Sequence, residues 1–545
     1  TTDGGESWSL ISPDLTTDDP ELQQRTGGLT LDDASPTIAP TIFALAESRL
    51  EEGLIWAGTN DGQVQVTRDG GENWTNVTAK LPGLPPRGTV SNIGPSRHAA
   101  GTAYLTVDRH QLGDSEPYVY KTTDFGATWK AISSDLPRSV VSYAHVVRED
   151  PVRPGLLYLG TESGVWVSFD DGAHWRSLQS NLPHAPVHWL EIQDHFGDLV
   201  VATYGRGFWI LDDLTLLREL EPGNLPANPH LFEPRQAYRF RLRQDPFMQP
   251  EDPAAGTNPE YGASIHYYLA EEPEEKVELE ILDAASEVVF AFDKVKKEAG
   301  LHRAHWDLRY EKAPEVKLRT KPDEDPHLPM PEKNYRPLAD GRPYSLLAPP
   351  GTYTVRLTVA DQSQTRDLVV VQDPNSKATA TDLSTQMEVL FDLRQMQTDA
   401  AQIINEIEWL RKQIHDLQAR LEDTDLEGAE DLITAGKELD DKLKEIEGVF
   451  FDLRLTGARQ DNLRWRRLLY GRIAYLTRSI AGSDFPPTSQ QREVYELLKA
   501  SLAEQQQQFG ELTKTELANF DQLLDDNGVP HLVTGLKSEK DESTE

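Results

Sequence analysis

The pattern Ser/Thr-x-Asp-x-Gly-x-x-Trp recurs four times in the first part of the chain. It reads Thr1-Asp3-Gly5-Trp8, Thr67-Asp69-Gly71-Trp74, Thr122-Asp124-Gly126-Trp129 and Ser168-Asp170-Gly172-Trp175. The Asp residues stand 66, 55 and 46 positions apart. An internal repeat of this kind constrains the fold more than any bulk property. Its chemistry suits a turn between two strands. The carboxylate accepts backbone N–H groups across the turn, Gly supplies a positive φ, and Trp packs beneath the turn between strands. A structural role is therefore expected for all twelve of these Asp, Gly and Trp residues.

The flanking segments complete a four-stranded unit. Thr41–Ala46, Leu54–Thr59 and Gln63–Thr67 precede the second box, and Trp74–Val77 follows it. Similar units span about 90–133 and 141–180, and a last one without a box runs from Val187 to Leu211. Short β-rich segments divided by turn residues are expected to be strands. This predicts four blades of a β-propeller plus the last strand of a fifth. Propellers close on themselves to protect strand edges, so the remaining blades are expected upstream of Thr1, which is not expected to be the natural start.

The repeat resembles the Asp-box, or BNR repeat, of sialidases, sortilin-type receptors and two-propeller xyloglucanases. Residues 9 to about 220 resemble a large bacterial exported family of glycosyl hydrolase-like or sortilin-N-terminal-like (VPS10-like) BNR proteins. The phrases that carry this are Leu10–Thr17, Trp56–Gly62, Pro117–Asp124 and Ala202–Asp213, with Tyr204 where the family pattern has His. The resemblance extends over most of the chain. It implies a propeller and an upstream propeller half as partner, and leaves activity open, because fold does not fix function.

Composition narrows the partners. The 545 residues carry a formal charge of −36 and no cysteine. A surface this acidic repels nucleic-acid phosphates, and the missing thiols exclude disulfides and thiolate metal sites. No stretch approaches the roughly 20 apolar residues of a membrane span. The chain is expected to be secreted, periplasmic or at the cell surface.

The fold class expected is mainly β with an α C-terminus. The propeller occupies 1–220 and a Pro/Gly-rich linker 221–262. An Ig-like β-sandwich of short strands follows at 263–375. Its insertion at 311–348 is expected to be mostly irregular, with the propeller as a surface to pack on. Residues 378–536 form a helical coiled-coil hairpin or bundle. Leu393, Met396, Ala400, Ile403, Ile407, Leu410, Ile414, Leu417 and Leu421 follow a heptad. Leu439, Leu443, Ile446, Phe450 and Leu453 continue it in a second helix. A third helix is expected over 461–481 and a fourth to about 526. The tail 537–545 is polar and expected to be disordered. The helical region packs within the chain or serves as an arm for a homo-oligomer.

The candidate ligand-binding residues lie in the last blade: His188, Trp189, Tyr204, Arg206, Trp209, Asp212 and Asp213. An Arg fork beside aromatics can hold a carboxylate or a sugar. On the plainer reading Phe208 and Trp209 fill the space between blades and Arg206 pairs with a blade carboxylate. Catalytic residues are not assigned. Glycoside hydrolysis needs two carboxyls about 5 Å or about 6.5–9.5 Å apart. Asp32, Asp33, Asp61, Asp108, Asp114 and Glu162 sit on or near blade loops, and sequence does not pair them. No metal site is expected. His98, His110, His145, His184, His188 and His195 are scattered along the chain, no cofactor is implied, and Ca²⁺ in an acidic loop would be adventitious. The reading is an exported propeller scaffold that recognises a glycan or protein ligand. The alternative is a xyloglucanase-like hydrolase acting on β-glucan, with a cleft shared with an upstream propeller.

Overall fold

A computed structural model describes residues 3–20, 40–221, 229–241, 256–338, 342–424, 426–458 and 460–535, with Thr1 and Gly223. The chain is mainly β-sheet followed by a helical C-terminal region. It divides into two compact units, residues 1–235 with 266–270, and 236–265 with 271–545. Asp32, Asp33 and the tail 537–545 lie outside the described residues.

The first unit is a succession of antiparallel sheets, each built from consecutive strands. The first holds β1 (Ile42–Glu47), β2 (Ile55–Thr59), β3 (Val64–Thr67) and β4 (Thr75–Asn76). The second holds β5 (Thr89–Pro95), β6 (Ala103–Arg109), β7 (Asp114–Thr122) and β8 (Lys130–Ala131). The third holds β9 (Ala144–Glu149), β10 (Leu157–Thr161), β11 (Gly164–Ser168) and β12 (Arg176–Ser177). The fourth has three strands, β13 (Val187–Gln193), β14 (Asp198–Thr203) and β15 (Phe208–Leu211), and leads into a short helix, α1 (Thr215–Glu219). The strand β16 (His230–Leu231) also lies in this unit.

Side-chain alternation feeds each middle sheet into two cores. Leu157 and Leu159 of β10 join Tyr104, Val119 and Trp175 between the second and third sheets. Their neighbour Tyr158 points the other way, into Val187, Leu190 and Val201 of the fourth. Both faces are dry, so β10 is buried throughout, and each such aliphatic side chain contributes about 1.5–3 kcal/mol. The sheets approach so closely that a Cβ on Gly160 would stand 2.7 Å from Val187 Cγ1, and one on Gly58 2.4 Å from Val90 Cγ1.

The four boxes share one hydrogen-bond scheme. Thr122 Oγ1 donates to Asp124 Oδ1 and accepts from the Gly126 N–H at 3.0 Å, while Asp124 accepts from Thr128. Thr67, Ser168 and Thr1 do the same for their boxes. Residue four of each box and the Gly after it are both left-handed, as in Phe125 (φ 59°) and Gly126 (φ 84°). Trp129 and Trp175 are buried, whereas Trp8 is 80% exposed. Among the described residues no strand flanks that first box.

The second unit contains a five-stranded sheet in the order β17 (Ala237–Arg239), β25 (Gln362–Gln372), β24 (Gly351–Val359), β19 (Val277–Leu282) and β20 (Val288–Ala291). The other strands among the described residues are β18 (Ala263–Leu269), which pairs with β16, and β21 (Gly300–Trp306), β22 (Lys317–Leu318) and β23 (Arg336–Pro337). Thus the stretch read as linker supplies a strand, β17, parallel to β25. Its Arg239 is buried on Asp484 at 2.6 Å.

The helices are α2 (Ala380–Glu422), α3 (Ala429–Phe450), α4 (Asp461–Arg464), α5 (Leu469–Ala481), α6 (Ser489–Leu512) and α7 (Ala518–Asp526), the last two joined by a π-helical turn. Capping boxes at Thr379/Asp382 and Thr488/Gln491 start α2 and α6. All nine heptad positions of α2 are buried. α3 stops at Phe450, so Leu453 lies beyond it, and the third expected helix is broken at 465–468. The irregular insertion docks on α2. Glu408 accepts from Thr320 N and Oγ1, and Asn405 from Lys317 N.

Candidate functional site

Each of the four sheets carries a β-bulge at the second residue of its first strand or one place later. In β1, Ile42 pairs with Thr59 and Ala44 with Gly58, leaving Phe43 extra. Ser91 is the extra residue against Val107 and Thr106, His145 against Thr161 and Gly160, and His188 against Thr203 and Ala202. Bulges re-aim side chains and gather near functional sites.

A second position repeats beside the first. The residue after the paired Thr donates its N–H back to the residue just before the first strand. Asn60 bonds Thr41 O, Glu162 bonds Tyr143 O and Tyr204 bonds Pro186 O. The sheets therefore present equivalent pairs: Phe43/Asn60, Ser91/Asp108, His145/Glu162 and His188/Tyr204. Strand direction alternates within a sheet, so these pairs sit at the end of the strands opposite the Asp-box turns.

The last two pairs fuse into a ladder. His110 stacks on Tyr143 at 4.7 Å between ring centroids, Tyr143 meets His145 edge-on, His145 stacks on His188 at 4.3 Å, and His188 stacks on Tyr204 at 5.4 Å. Carboxylates line it. Glu162 Oε2 is 3.0 Å from His145 Nε2, and Asp108 is 2.8 Å from His110 Nδ1. Burial first, and the neighbouring Glu162 carboxylate second, raise the pKa of the Tyr143 phenol. Desolvation, then the neighbouring His145, lower that of His188 and favour its neutral form. His145 is buried, Glu162 is half-buried, and His188 and Tyr204 are exposed, Tyr204 by 73%.

The expected binding residues divide between the two ends of the last sheet. His188 and Tyr204 enter the ladder. Trp189 lies under the Arg148 guanidinium, 4.5 Å from its ring centroid. Arg206 is exposed and bonds Gly205 O, and Trp209 Nε1 donates to Arg206 O at 3.0 Å. Phe208 is 80% exposed. Asp212 and Asp213 follow the far end of β15, away from Tyr204. Asp213 accepts from Thr215 N at 3.2 Å and orders the entry to α1.

Among the carboxylate candidates, Asp61 is buried and bound to Thr17 and Thr59. Asp114 holds Arg109 at 2.8 Å and Tyr118 at 2.9 Å. Asp108 and Glu162 belong to the ladder. Of the histidines read as scattered, His110, His145 and His188 meet there. Tyr143 and Ser91 were not singled out in sequence. Aligning Gly160-Thr161-Glu162 with Ala202-Thr203-Tyr204 and Gly58-Thr59-Asn60 would have found the repeated pair.

No protein-family model matches the chain. An oligoxyloglucan-reducing end-specific xyloglucanase of Emericella nidulans is 28% identical over 110 residues, which is 20% of this chain and 13% of that protein. The chain thus spans a small part of the length of that relative. Among solved structures, the Xanthomonas campestris GH74 xyloglucanase is similar at TM-score 0.26 and 12% identity, covering 61% of this chain and 44% of that one. The Niastella koreensis GH74 enzyme gives 0.25 and 15%, covering 48% and 29%. YCF48 from Cyanidioschyzon merolae gives 0.23 and 20%, covering 32% and 54%. No helix among the described residues is long and apolar enough to cross a membrane.

Proposed function

We propose that this chain is an exported binding scaffold of β-propeller blades that takes a glycan at the blade ends opposite the Asp-boxes. One observation carries the reading: the ladder of stacked rings that runs from His110 ends on the exposed ring of Tyr204 and is flanked by the carboxylates of Asp108 and Glu162. Flat rings cover the apolar face of a sugar, and carboxylates accept its hydroxyls. The first and last sheets expose Phe43 (61%) and Phe208 (80%), apolar surface on which further blades would pack. The sandwich and the coiled-coil hairpin would then be domains that follow the propeller in the chain.

The test is a titration of soluble β-glucan and xyloglucan oligosaccharides into the chain and into Tyr204→Ala. Saturable binding by the first and a loss of at least about tenfold in the second supports the reading; equal binding removes it. A hydrolase is the second reading. It is favoured by Asp108 and Glu162 at equivalent positions of adjacent sheets, and new reducing ends that vanish in Glu162→Gln would establish it in place of the scaffold.

A further inference from the structure

His145, Glu162 and His188 each turn one ligand atom into the same small volume, all within 4.8 Å of one another. This grouping shares Glu162 and the two imidazoles with the proposed glycan site but has its own structural cause. Two successive sheets carry a His at the bulge, and the third sheet carries a Glu at the neighbouring repeated position. The bulges aim both imidazoles at the seam between those sheets, where Val187 packs down on Gly160.

We propose that His145, Glu162 and His188 bind one divalent first-row transition ion of the zinc class. Two imidazoles and a carboxylate form a donor set of borderline softness, which selects this class over Ca²⁺ and Mg²⁺. The edge between His145 Nε2 and Glu162 Oε2, 3.0 Å, is near the roughly 3.3 Å edge of a tetrahedron with bonds of about 2.0–2.1 Å. His188, stacked between His145 and Tyr204, brings a ring nitrogen within 4.8 Å of both other ligand atoms. The outer shell is also present. Tyr143 anchors Glu162 by the backbone bond from Glu162 N to Tyr143 O at 3.1 Å, and its phenol is in the neighbourhood of the Glu162 carboxylate. Such outer partners orient a ligating group before the ion arrives. Three protein ligands leave a fourth position open, on the exposed side of His188 and Tyr204, where a water or an oxygen of a ligand completes the shell.

The experiment uses the full chain, stripped with chelator and then titrated with Co²⁺ and Zn²⁺, with Ca²⁺ as a separate arm. The expected result is one equivalent of Zn²⁺ retained through desalting, with a visible tetrahedral cobalt absorption that Zn²⁺ abolishes. His188→Ala, a change at an exposed position that leaves the fold intact by circular dichroism, loses the cobalt absorption and the retained zinc. It also loses the rise in melting temperature that Zn²⁺ gives the wild type. Tyr143→Phe keeps the absorption and weakens affinity about 10–100-fold. Equal zinc retention by wild type and a His145→Ala/His188→Ala double variant overturns the proposal, since the ion is then held elsewhere. So does the absence of tetrahedral cobalt absorption at saturating Co²⁺, or a stoichiometric response to Ca²⁺ alone.

Discussion

The rings of His145 and His188 stack at 4.3 Å with an angle of 28° between their planes. They are 43 residues apart in sequence, yet they hold one structural position in two neighbouring sheets, the extra residue of the first-strand bulge. A repeat fold turns such a position into a row. The same backbone accident in each sheet delivers four side chains to one end of the sheets, and the sequence decorates that row differently at each step: Phe43, Ser91, His145, His188.

The row depends on how closely the sheets pack. A methyl at residue 160 would meet Val187 Cγ1 and O at 2.7 Å and Val146 Cγ1 at 2.8 Å. Backbone is among those atoms, so the fourth sheet must move away from the third. Gly160→Ala is expected to cost about 1–3 kcal/mol and to weaken Co²⁺ binding without touching a ligand. Urea unfolding and the cobalt titration check both, and unchanged cobalt affinity in a destabilised variant would show that the stack does not set the site.

The box hydroxyls are a second test. Thr122 Oγ1 is buried, donates to Asp124 and accepts from the Gly126 N–H at 3.0 Å. Thr122→Val keeps the shape and strands that N–H. The expected loss is about 1–3 kcal/mol, most of it recovered by Thr122→Ser, as read from chemical denaturation midpoints. A loss in Ser with none in Val would put the effect on packing of the γ-methyl.

These turns were legible in the sequence because their chemistry is local: donor, acceptor and left-handed Gly all lie within eight residues. The seam of α2 was legible for a similar reason, since helical period alone places Leu393 to Leu421 on one face. The ladder was not. His145 and His188 read as isolated histidines until the bulges are known, and a bulge leaves no mark in hydrophobic alternation. Asp213 shows the opposite failure. It is close to Tyr204 in sequence, but β15 runs between them and carries it to the far end of the sheet. The break at 465–468, likewise, interrupts an apolar pattern that would continue unbroken in an isolated helix.

The boxes also set an acid limit. Asp69 is held down to about 2, first by the Asn73 backbone N–H, then by the Asn73 and Thr67 side chains, against an ordinary 3.8. Asp124 and Asp170 are lowered as well. A carboxylate depressed in the folded state contributes stability that is complete above the unfolded value and lost as pH falls through the folded one. Stability is therefore expected to fall between about pH 4 and pH 2. Asp69→Asn should flatten that fall measurably in melting curves taken across the window. An unchanged slope would assign acid lability to other carboxylates.

In the helical unit the opposite sign applies. Arg411 of α2 donates to Asp440 at 2.9 Å and Glu447 at 2.5 Å on α3, and Glu408 lies 3.9 Å away; all four are buried. Burial and the Glu408 charge push Glu447 well above the ordinary range, against the pull of Arg411. A group raised in the folded state contributes stability that is present at low pH and lost as pH rises through its folded value. Removing Arg411 takes away the cation that lets these carboxylates ionise in place. Arg411→Met is thus expected to cost about 3–5 kcal/mol near neutral pH, the price of uncompensated buried charge. As pH falls and Glu447 takes up its proton, the cost should become smaller. Urea midpoints at pH 5 and pH 8 distinguish this from loss of packing, because a cavity left by the guanidinium would cost the same at both.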